Sequence, residues 1–329
     1  MQKSVSIVIP VYNVEEQIER CLHSLFRQTY PCIEYIFVDD CSPDKSTDII
    51  KYVLEQYPGR KKQTTILSNT QNKGVAFTRN RGISEAHGDY IIQFDPDDWI
   101  ESDMIEKLMF AVTTGNADIG ICDFIFHRNR KLFIESAFLE GTSEEYAQAI
   151  LEHKRSPSFC NKLISASLFK KYRISCPENL NREEDLFCTV QLCLHAPKII
   201  FVQEPLYHYV YNPISITNQG NINCHWQRLQ IHKKLKEILG TSLPERSWEL
   251  NLLLIYADII SLEKDPRKAY NLLASVNFSH SERLRFSRVL LIFLLQKKLF
   301  TVFRIVRAGL EIARKMRICI WVHQSKKGL

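Results

Sequence analysis

The feature that most constrains the fold is a regular alternation of short apolar runs with amphipathic segments, which continues to residue 94. Four of the runs are rich in β-branched and aromatic residues, which favours buried strands at 4–11, 33–38, 64–67 and 89–94. The segments between these runs carry apolar residues at helical spacing. A β-α-β-α-β-α-β order predicts an α/β fold with a mixed, mostly parallel sheet flanked by helices.

Polar residues directly follow three of the four predicted strands. Tyr12 and Asn13 follow the first strand, Asp39 and Asp40 follow the second, and residues 95–98 follow the fourth. Parallel strands end at the same edge of a sheet, and ligands of open α/β sheets bind in the loops at that edge. The sequence therefore predicts a ligand site built from these three loops.

The pattern changes after residue 117. Strands are predicted at 118–126, 131–138, 198–202 and 206–211, and helices at 143–152 and 181–196. Beyond residue 218 the periodic segments all have helical spacing. We therefore predict a first domain at residues 1–215 and a helical, basic C-terminal region at residues 216–329.

Charge is distributed unevenly along the chain. The net charge is +6, yet residues 281–329 hold 12 Lys and Arg against 2 Asp and Glu, a balance of +10. Basic amphipathic helices commonly lie on anionic membrane surfaces, and a solvated basic face packed on the first domain is the simpler alternative. No nucleic-acid-binding motif accompanies the charge, so nucleic acid is not an expected partner.

Apolar runs and cysteines indicate the compartment. The apolar runs are shorter than the ~20 residues of a membrane-spanning helix, and the N-terminus lacks a signal-peptide pattern. The ten cysteines include no C-x-x-C pair, which favours reduced thiols. We therefore expect a cytoplasmic protein.

The most informative single motif is Asp95-Pro96-Asp97-Asp98, at the end of the fourth predicted strand. Three carboxylates this close repel one another, and a hard divalent cation that also binds a diphosphate would relieve the repulsion. An acidic turn that caps the next helix is an equally good interpretation of the motif alone.

Two other charged groups are candidates for chemistry. Arg79 lies near the start of a predicted helix, where a cation opposes the helix dipole unless an anion is bound, so a diphosphate contact is one interpretation. A solvated arginine is the alternative. Asp185, in the acidic run 183–185, is a candidate general base, although complementation of the helix dipole explains such a run as well.

These motifs, in this order and spacing, resemble the family-two nucleotide-sugar glycosyltransferases of the GT-A fold. The segments that carry the resemblance are 6–13, 38–42, 72–80, 94–98 and 184–185, within residues 4–215. Segments 161–163 and 206–217 are similar to the capsule, exopolysaccharide and O-antigen branches of that family. The Gln-x-x-Arg-Trp motif and the membrane spans of the processive synthases are missing, which implies a non-processive enzyme with its GT-A catalytic domain at residues 1–215.

The resemblance also implies roles for individual residues. The donor nucleotide and its diphosphate would be bound by Pro10, Tyr12, Asp39, Asp40, Arg79 and Asp97. A divalent cation, Mn²⁺ or Mg²⁺, would be bound by Asp98, Asp97 and Asp95. Asp185 would be the catalytic base, and the acceptor would lie near Glu184, Lys162 and Trp99.

One position departs from the family pattern. Cys41 follows Asp40 where the family usually has a glycine. Because a residue with a Cβ atom rarely adopts positive φ, a cysteine is tolerable here if the turn avoids that region.

The implied reaction is the inverting transfer of a hexose or N-acetylhexosamine from a UDP-sugar to a hydroxyl of a glycan or lipid-linked acceptor. Such an enzyme would act in bacterial surface-polysaccharide synthesis, peripherally on the inner face of the plasma membrane. Two alternatives are weighed against it. A non-catalytic nucleotide-sugar-binding homologue would have lost carboxylates that are present here, among them Asp97 and Asp185. A sugar-nucleotide pyrophosphorylase would need a glycine-rich loop after the first strand, where this chain has Tyr12 and Asn13.

Overall fold

The computed structural model describes residues 2–128, 131–178, 180, 182–211, 222–273 and 286–311. The chain divides into two compact units, Met1–Tyr211 and Asn212–Leu329. The strands of the first unit are β1 (Val5–Val11), β2 (Ile33–Asp39), β3 (Thr64–Ser68), β4 (Tyr90–Gln93), β5 (Trp99–Ile100), β6 (Ile119–Arg128), β7 (Lys131–Glu135), β8 (Lys162–Ser165) and β9 (Ile199–Val210). Its helices are α1 (Ile18–Phe26), α2 (Ser46–Glu55), α3 (Val75–Ser84), α4 (Met104–Gly115), α5 (Ser143–Leu151), α6 (Ala166–Tyr172) and α7 (Glu184–His195).

These strands form one mixed sheet in the order β3-β2-β1-β4-β8-β6-β9-β5, with β7 paired to the second half of β6. β1 runs parallel to β2 and β4, and β2 runs parallel to β3, as the β-α-β order predicts. β8 is antiparallel to both β4 and β6. The predicted α/β architecture of a sheet flanked by helices is confirmed.

Burial explains why the first strands read as continuous apolar runs. All seven residues of β1 are buried, because β1 lies between β2 and β4 and is covered on both faces. α1 buries Ile18, Leu22 and Leu25 against the same core. Each such side chain contributes about 1.5–3 kcal/mol when it leaves water.

Two predicted strands near the end of the first unit are one strand in the structure. Residues 198–202 and 206–211 were separated in the prediction because of the polar Gln203-Glu204-Pro205 segment, but β9 runs through it. The register between β6 and β9 shifts around Asp123, which lies opposite Pro205. A bulge of this kind accommodates a proline because the ladder hydrogen bond is already interrupted there.

The turn after Asp40 does not avoid positive φ. Cys41 has φ 57°, in the left-handed region that glycine normally occupies. A residue with a Cβ atom pays about 1–2 kcal/mol for this conformation. The turn therefore keeps the backbone shape expected of a glycine and stores strain at Cys41.

This strain predicts an effect on stability. Cys41→Gly should be about 1 kcal/mol more stable than Cys41→Ala, because both variants lose the exposed thiol and only alanine keeps the strained Cβ atom. Urea unfolding of the two ligand-free proteins measures the difference. Coincident unfolding curves would contradict the strain.

The second unit is helical in its described part. Its helices include α8 (Ile222–Leu239), α9 (Glu245–Leu262), α10 (Pro266–Leu272) and α11 (Phe286–Gln296), and residues 300–311 are also helical. One apolar cluster joins α9, α10 and α11 through Leu253, Ala269 and Leu295. No helix of the described residues is both long and apolar enough to cross a bilayer.

Candidate active site

The carboxyl ends of β1, β2 and β4 lie side by side, because β1 pairs in parallel with both neighbours. Val11 pairs with Asp39 at the end of β1, and Val8 pairs with Gln93 at the end of β4. The three polar loops predicted from sequence therefore leave the sheet at one edge.

Asp40 is buried at this edge and forms hydrogen bonds to other parts of the chain. It is 3% exposed, and its two carboxylate oxygens accept hydrogen bonds from Asn69 Nδ2 at 2.7 Å and from the backbone N–H groups of Lys73 and Gly74, both at 2.8 Å. These bonds anchor the turn before α3, where Gly74 has φ 86°. The geometry differs from the predicted donor contact, because both oxygens of Asp40 already have partners.

Asp39 and Tyr12 are better placed for a ligand. Asp39 uses Oδ1 to accept the N–H of Ser42 at 3.0 Å, and within the described residues no donor reaches its Oδ2. Tyr12 is 46% exposed just beyond β1, so its ring is available for stacking. Pro10 is buried within β1, so it offers no surface to a ligand, in contrast to the prediction.

Asp98 is enclosed by β9. It is 1% exposed, its Oδ2 accepts the hydroxyl of Tyr207 at 2.7 Å, and its Oδ1 accepts the N–H of Val210 at 2.8 Å. Burial, together with the negative charges of Asp97 and Asp95, raises its pKa well above the usual range. The side chain therefore joins the acidic loop to β9, and this internal role differs from the predicted metal contact.

Asp95 and Asp97 remain partly exposed in the same loop. Burial raises the pKa of Asp97 to about 6, and the charge of Asp95 adds to the increase. An Asp97 carboxylate whose ionisation is disfavoured beside Asp95 fits a site in which a divalent cation binds one or two protein carboxylates and completes its shell with phosphate oxygens. Among the described residues no group of three or more His, Cys, Asp or Glu side chains is arranged to hold a metal alone.

Arg79 connects the acidic loop to the start of α7. Its guanidinium lies 2.8 Å from Asp95 and 3.8 Å from Glu184, and its side chain is 9% exposed. Burial disfavours its charged form, but Asp95 and Glu184 outweigh burial and raise its pKa above the usual value. Its Nε–H is buried and donates to no partner among the described residues. The predicted diphosphate contact would therefore compete with an existing ion pair.

Asp185 is held beside this ion pair by an unusual helix start. Glu183 precedes α7 with φ 53°, and this left-handed residue turns the chain into the helix. Burial and the charge of Glu184 together raise the pKa of Asp185 to about 7, against the opposing effect of Arg79. A carboxylate with a pKa near neutrality is suited to accept a proton at physiological pH.

Lys162 lies inside the fold, in contrast to the predicted acceptor contact. It is 0% exposed, and its ammonium donates to the backbone oxygens of Ser156 and Ser158 and to Asn161 Oδ1 at 3.1, 2.7 and 2.9 Å. Burial lowers its pKa. All three donors are used, so Lys162 stabilises the chain segment before β8.

Trp99 is partly exposed and stacks on His208, with ring centroids 3.3 Å apart and planes 11° from parallel. One face of the indole is therefore covered, and the predicted acceptor contact is limited to the rest of the ring. Asn69 and Tyr207 were missed as site residues. Asn69 follows β3, whose carboxyl end meets the same sheet edge, and this position was the available signal.

The site thus combines an exposed ring and a free carboxylate oxygen after β1 and β2, a carboxylate pair after β4, and a base candidate on α7. A family profile described as "Glycosyl transferase family 2" matches residues 6–173, just over half of the 329 residues. This chain belongs to glycosyl transferase family 2. The resemblance identified from the motifs is confirmed.

Relatives within this family have glycosyltransferase names. EpsH of Bacillus subtilis (strain 168) is 33% identical over 223 residues, which cover 66% of this chain and 63% of EpsH. The poly(ribitol-phosphate) beta-glucosyltransferase of Bacillus spizizenii is 32% identical over 208 residues, which cover 63% of this chain and 32% of that enzyme. The chain therefore spans less than two thirds of either relative.

Solved structures of similar fold include proteins with a bound nucleotide sugar. S. aureus TarS 1-349 in complex with UDP-GlcNAc has a TM-score of 0.68 at 21% identity, over 94% of this chain and 92% of TarS 1-349. The mannosyltransferase PcManGT from Pyrobaculum calidifontis, in complex with GDP-Man and Mn²⁺, has a TM-score of 0.56 at 16% identity, over 94% and 85%. At these identities the likeness establishes the fold, which confirms the predicted GT-A architecture.

Proposed function

We propose that this chain transfers a sugar from a UDP-sugar to an acceptor hydroxyl in a single inverting displacement, with Asp185 as the base. The observation that carries the proposal is the pair of contacts made by Arg79, to Asp95 at 2.8 Å and to Glu184 at 3.8 Å. These contacts bring the start of α7 next to the acidic loop after β4. A base candidate and a diphosphate-binding loop in one cleft are what a displacement at a nucleotide sugar requires.

The donor would lie across the carboxyl ends of β1, β2 and β4. Tyr12 would stack on the uracil ring, and Asp39 would accept its N–H through the oxygen that has no partner within the described residues. The diphosphate would then extend toward Asp95 and Asp97. A divalent cation, when bound there, would offset the negative charge that develops on the departing diphosphate.

The proposed reaction forms one bond, breaks one bond and moves one proton. The acceptor oxygen forms a bond to the anomeric carbon as the bond from that carbon to the diphosphate breaks. The acceptor proton moves to Asp185, and UDP leaves with the electron pair of the broken bond. The nearby Arg79 keeps Asp185 from becoming too basic to be ionised at neutral pH.

The proposed donor sugar and acceptor rest on similar proteins and not on contacts within this structure. TarS was solved with UDP-GlcNAc, and one relative is named for glucosyl transfer to poly(ribitol-phosphate). We therefore propose a hexose or N-acetylhexosamine as the transferred sugar and a glycan or lipid-linked acceptor of surface-polysaccharide synthesis. We propose the cytoplasmic face of the membrane as the location of this transfer.

A donor panel tests this function directly. Incubation with UDP-glucose, UDP-galactose and their N-acetylamino forms, with Mn²⁺ or Mg²⁺, should release UDP slowly from one donor in the absence of acceptor. Titration calorimetry with UDP measures binding in parallel. UDP binding without turnover of any donor would support the non-catalytic alternative, and absence of both would refute the proposal.

A membrane contact is proposed for the second unit. The described residues 293–310 expose the apolar side chains of Phe293, Val302 and Ile305, at 49%, 43% and 67%, near the exposed Lys297 and Lys298. Apolar and cationic side chains on one segment suit an anionic lipid surface.

Vesicle flotation with the full chain tests this contact. Joint substitution of Lys297→Glu and Lys298→Glu should lower the floated fraction on phosphatidylserine vesicles about tenfold, because each cation near the surface contributes about 1 kcal/mol and each reversal adds repulsion. Lys61→Glu with Lys62→Glu is the matched control on the first unit, where both lysines are exposed. Equal loss in both variants would refute a local contact.

A further inference from the structure

β7 is an exposed strand at an edge of the sheet. Within the described residues it pairs only with β6, and all five of its residues are exposed. Leu132, Phe133 and Ile134 are 64%, 53% and 68% exposed. Successive side chains of a strand point to opposite faces, so both faces of β7 present apolar surface. An edge of this kind pairs with another strand unless charge or proline protects it.

The sequence of β7 is complementary to itself when reversed. Read from Lys131 to Glu135, it runs cation, aliphatic, Phe133, aliphatic, anion. An antiparallel copy centred on Phe133 places Lys131 opposite Glu135, Leu132 opposite Ile134, and Phe133 opposite itself. Opposite charges and apolar pairs directly across two strands stabilise a sheet.

We propose that β7 pairs antiparallel with β7 of a second copy about a two-fold axis at Phe133, which gives a reversible homodimer. This pairing needs no change of register. The numbers of two facing residues differ by zero, two or four. Residues separated by an even number direct their backbone N–H and C=O groups to the same side of a strand, so the groups that point away from β6 in one copy meet the corresponding groups of the other. The same parity keeps each facing pair on one face of the combined sheet.

The charged residues at the two ends of β7 favour a second copy of the chain, and not an anionic lipid surface, as the partner of this strand. Lys131 lies opposite Arg128 on β6, so its neighbour within the hairpin has the same charge. Neither Lys131 nor Glu135 makes an ion pair within the described part of the chain, and Glu135 would be repelled by anionic lipid. A second copy supplies each charge with its opposite at both ends of the interface.

The contact is small, which sets the expected affinity. A five-residue edge is far below the standard interface of about 1,600 Å². We therefore expect a concentration-dependent dimer in the micromolar range that involves no part of the proposed active site. The inference is independent of the proposed function.

Charge reversal tests the register. Sedimentation of the full chain over a range of concentrations should show dimer for the wild type, and Lys131→Glu or Glu135→Lys alone should each raise the dimer Kd about tenfold, because each creates two like-charge pairs. The two substitutions together should restore the Kd to within about threefold of the wild type. Failure of the combined variant to recover, or a wild type that stays monomeric throughout, would overturn the proposal.

The membrane alternative gives a different pattern. On phosphatidylserine vesicles, Lys131→Glu would weaken binding and Glu135→Lys would strengthen it, whereas both weaken a dimer. If the two substitutions change vesicle binding in opposite directions and leave sedimentation unchanged, β7 contacts lipid and the dimer proposal is overturned. All variants should keep the wild-type melting temperature, because both side chains are exposed.

Disulfide trapping tests the axis independently. In a Cys41→Ala background, Phe133→Cys should form a disulfide-linked dimer on mild oxidation, because facing Cα atoms in an antiparallel pair lie about 4.5–5.5 Å apart, within disulfide range. Lys131→Cys is the matched control, since position 131 faces position 135 and not itself. Equal cross-linking at both positions would contradict an axis at Phe133.

Discussion

Asp185→Asn is expected to reduce sugar transfer about a thousandfold and to leave UDP affinity within about twofold of the wild type. Asparagine keeps the size of the side chain but cannot accept the acceptor proton. The donor side of the site, after β1, β2 and β4, is unchanged by this substitution. Initial rates with the active donor and calorimetric titration of UDP measure the two quantities separately.

The pH profile of the wild type gives an independent check on the same group. Burial raises the pKa of Asp185 to about 7, so the carboxyl is protonated below that pH and cannot serve as base. We therefore expect kcat/KM to rise about tenfold per pH unit below 7 and to level off above it. The residual activity of Asp185→Asn should not show this rise of kcat/KM with pH.

A matched control distinguishes the loss of the catalytic base from the loss of a negative charge in the first turn of a helix. Glu144 also lies in the first turn of a helix, α5, and is exposed outside the site. Glu144→Gln should leave both transfer and its pH profile unchanged. Full turnover by Asp185→Asn, or an equal loss in Glu144→Gln, would remove Asp185 from the proposed role.

Asp97→Asn is expected to have opposite effects on stability and on metal-dependent binding. The folded protein holds the pKa of Asp97 near 6, above its ordinary value of 3.8, so the wild type loses stability as pH rises from about 4 to 6. One pKa unit corresponds to about 1.4 kcal/mol, so a shift from 3.8 to about 6 means that at pH 8 without metal the variant should be about 3 kcal/mol more stable. With Mn²⁺ present, its UDP affinity should fall about a hundredfold.

Thermal unfolding with and without Mn²⁺ measures the first effect, and UDP titration measures the second. Mn²⁺ with UDP should raise the melting temperature of the wild type and have little effect on that of Asp97→Asn. Asp103→Asn is the control, because Asp103 is an exposed carboxylate paired with Lys107 at 2.8 Å and should change stability by less than about 1 kcal/mol. A destabilised Asp97→Asn protein that still binds UDP with Mn²⁺ would contradict the proposed cation contact.

The parts of the site that were predictable from sequence are those set by local pattern. β1, β2 and β4 are buried on both faces, so their apolar runs and the polar residues that follow are visible in the chain itself. β9 was divided in the prediction because a polar segment with Pro205 is typical of a loop. A bulge against β6 carries the strand through that segment, and a bulge depends on the neighbouring strand.

The roles of individual carboxylates were less predictable. Asp39 and Asp40 are adjacent, yet one keeps a free oxygen while the other binds the backbone of Lys73 and Gly74. Asp97 and Asp98 are also adjacent, and only Asp98 is enclosed by Tyr207. In both cases the deciding partner lies far along the chain, where no local pattern points to it.

From the sequence alone one can read β1 to β4, α1 to α3, the three loops that share one edge of the sheet, and the family to which the chain belongs. These properties follow from hydrophobic periodicity and from short motifs, which are local. The tertiary structure alone decided which acidic side chains stay available for a ligand and which hold the fold together. That choice depends on which distant hydrogen-bond donors reach each carboxylate, and on how far burial raises its pKa.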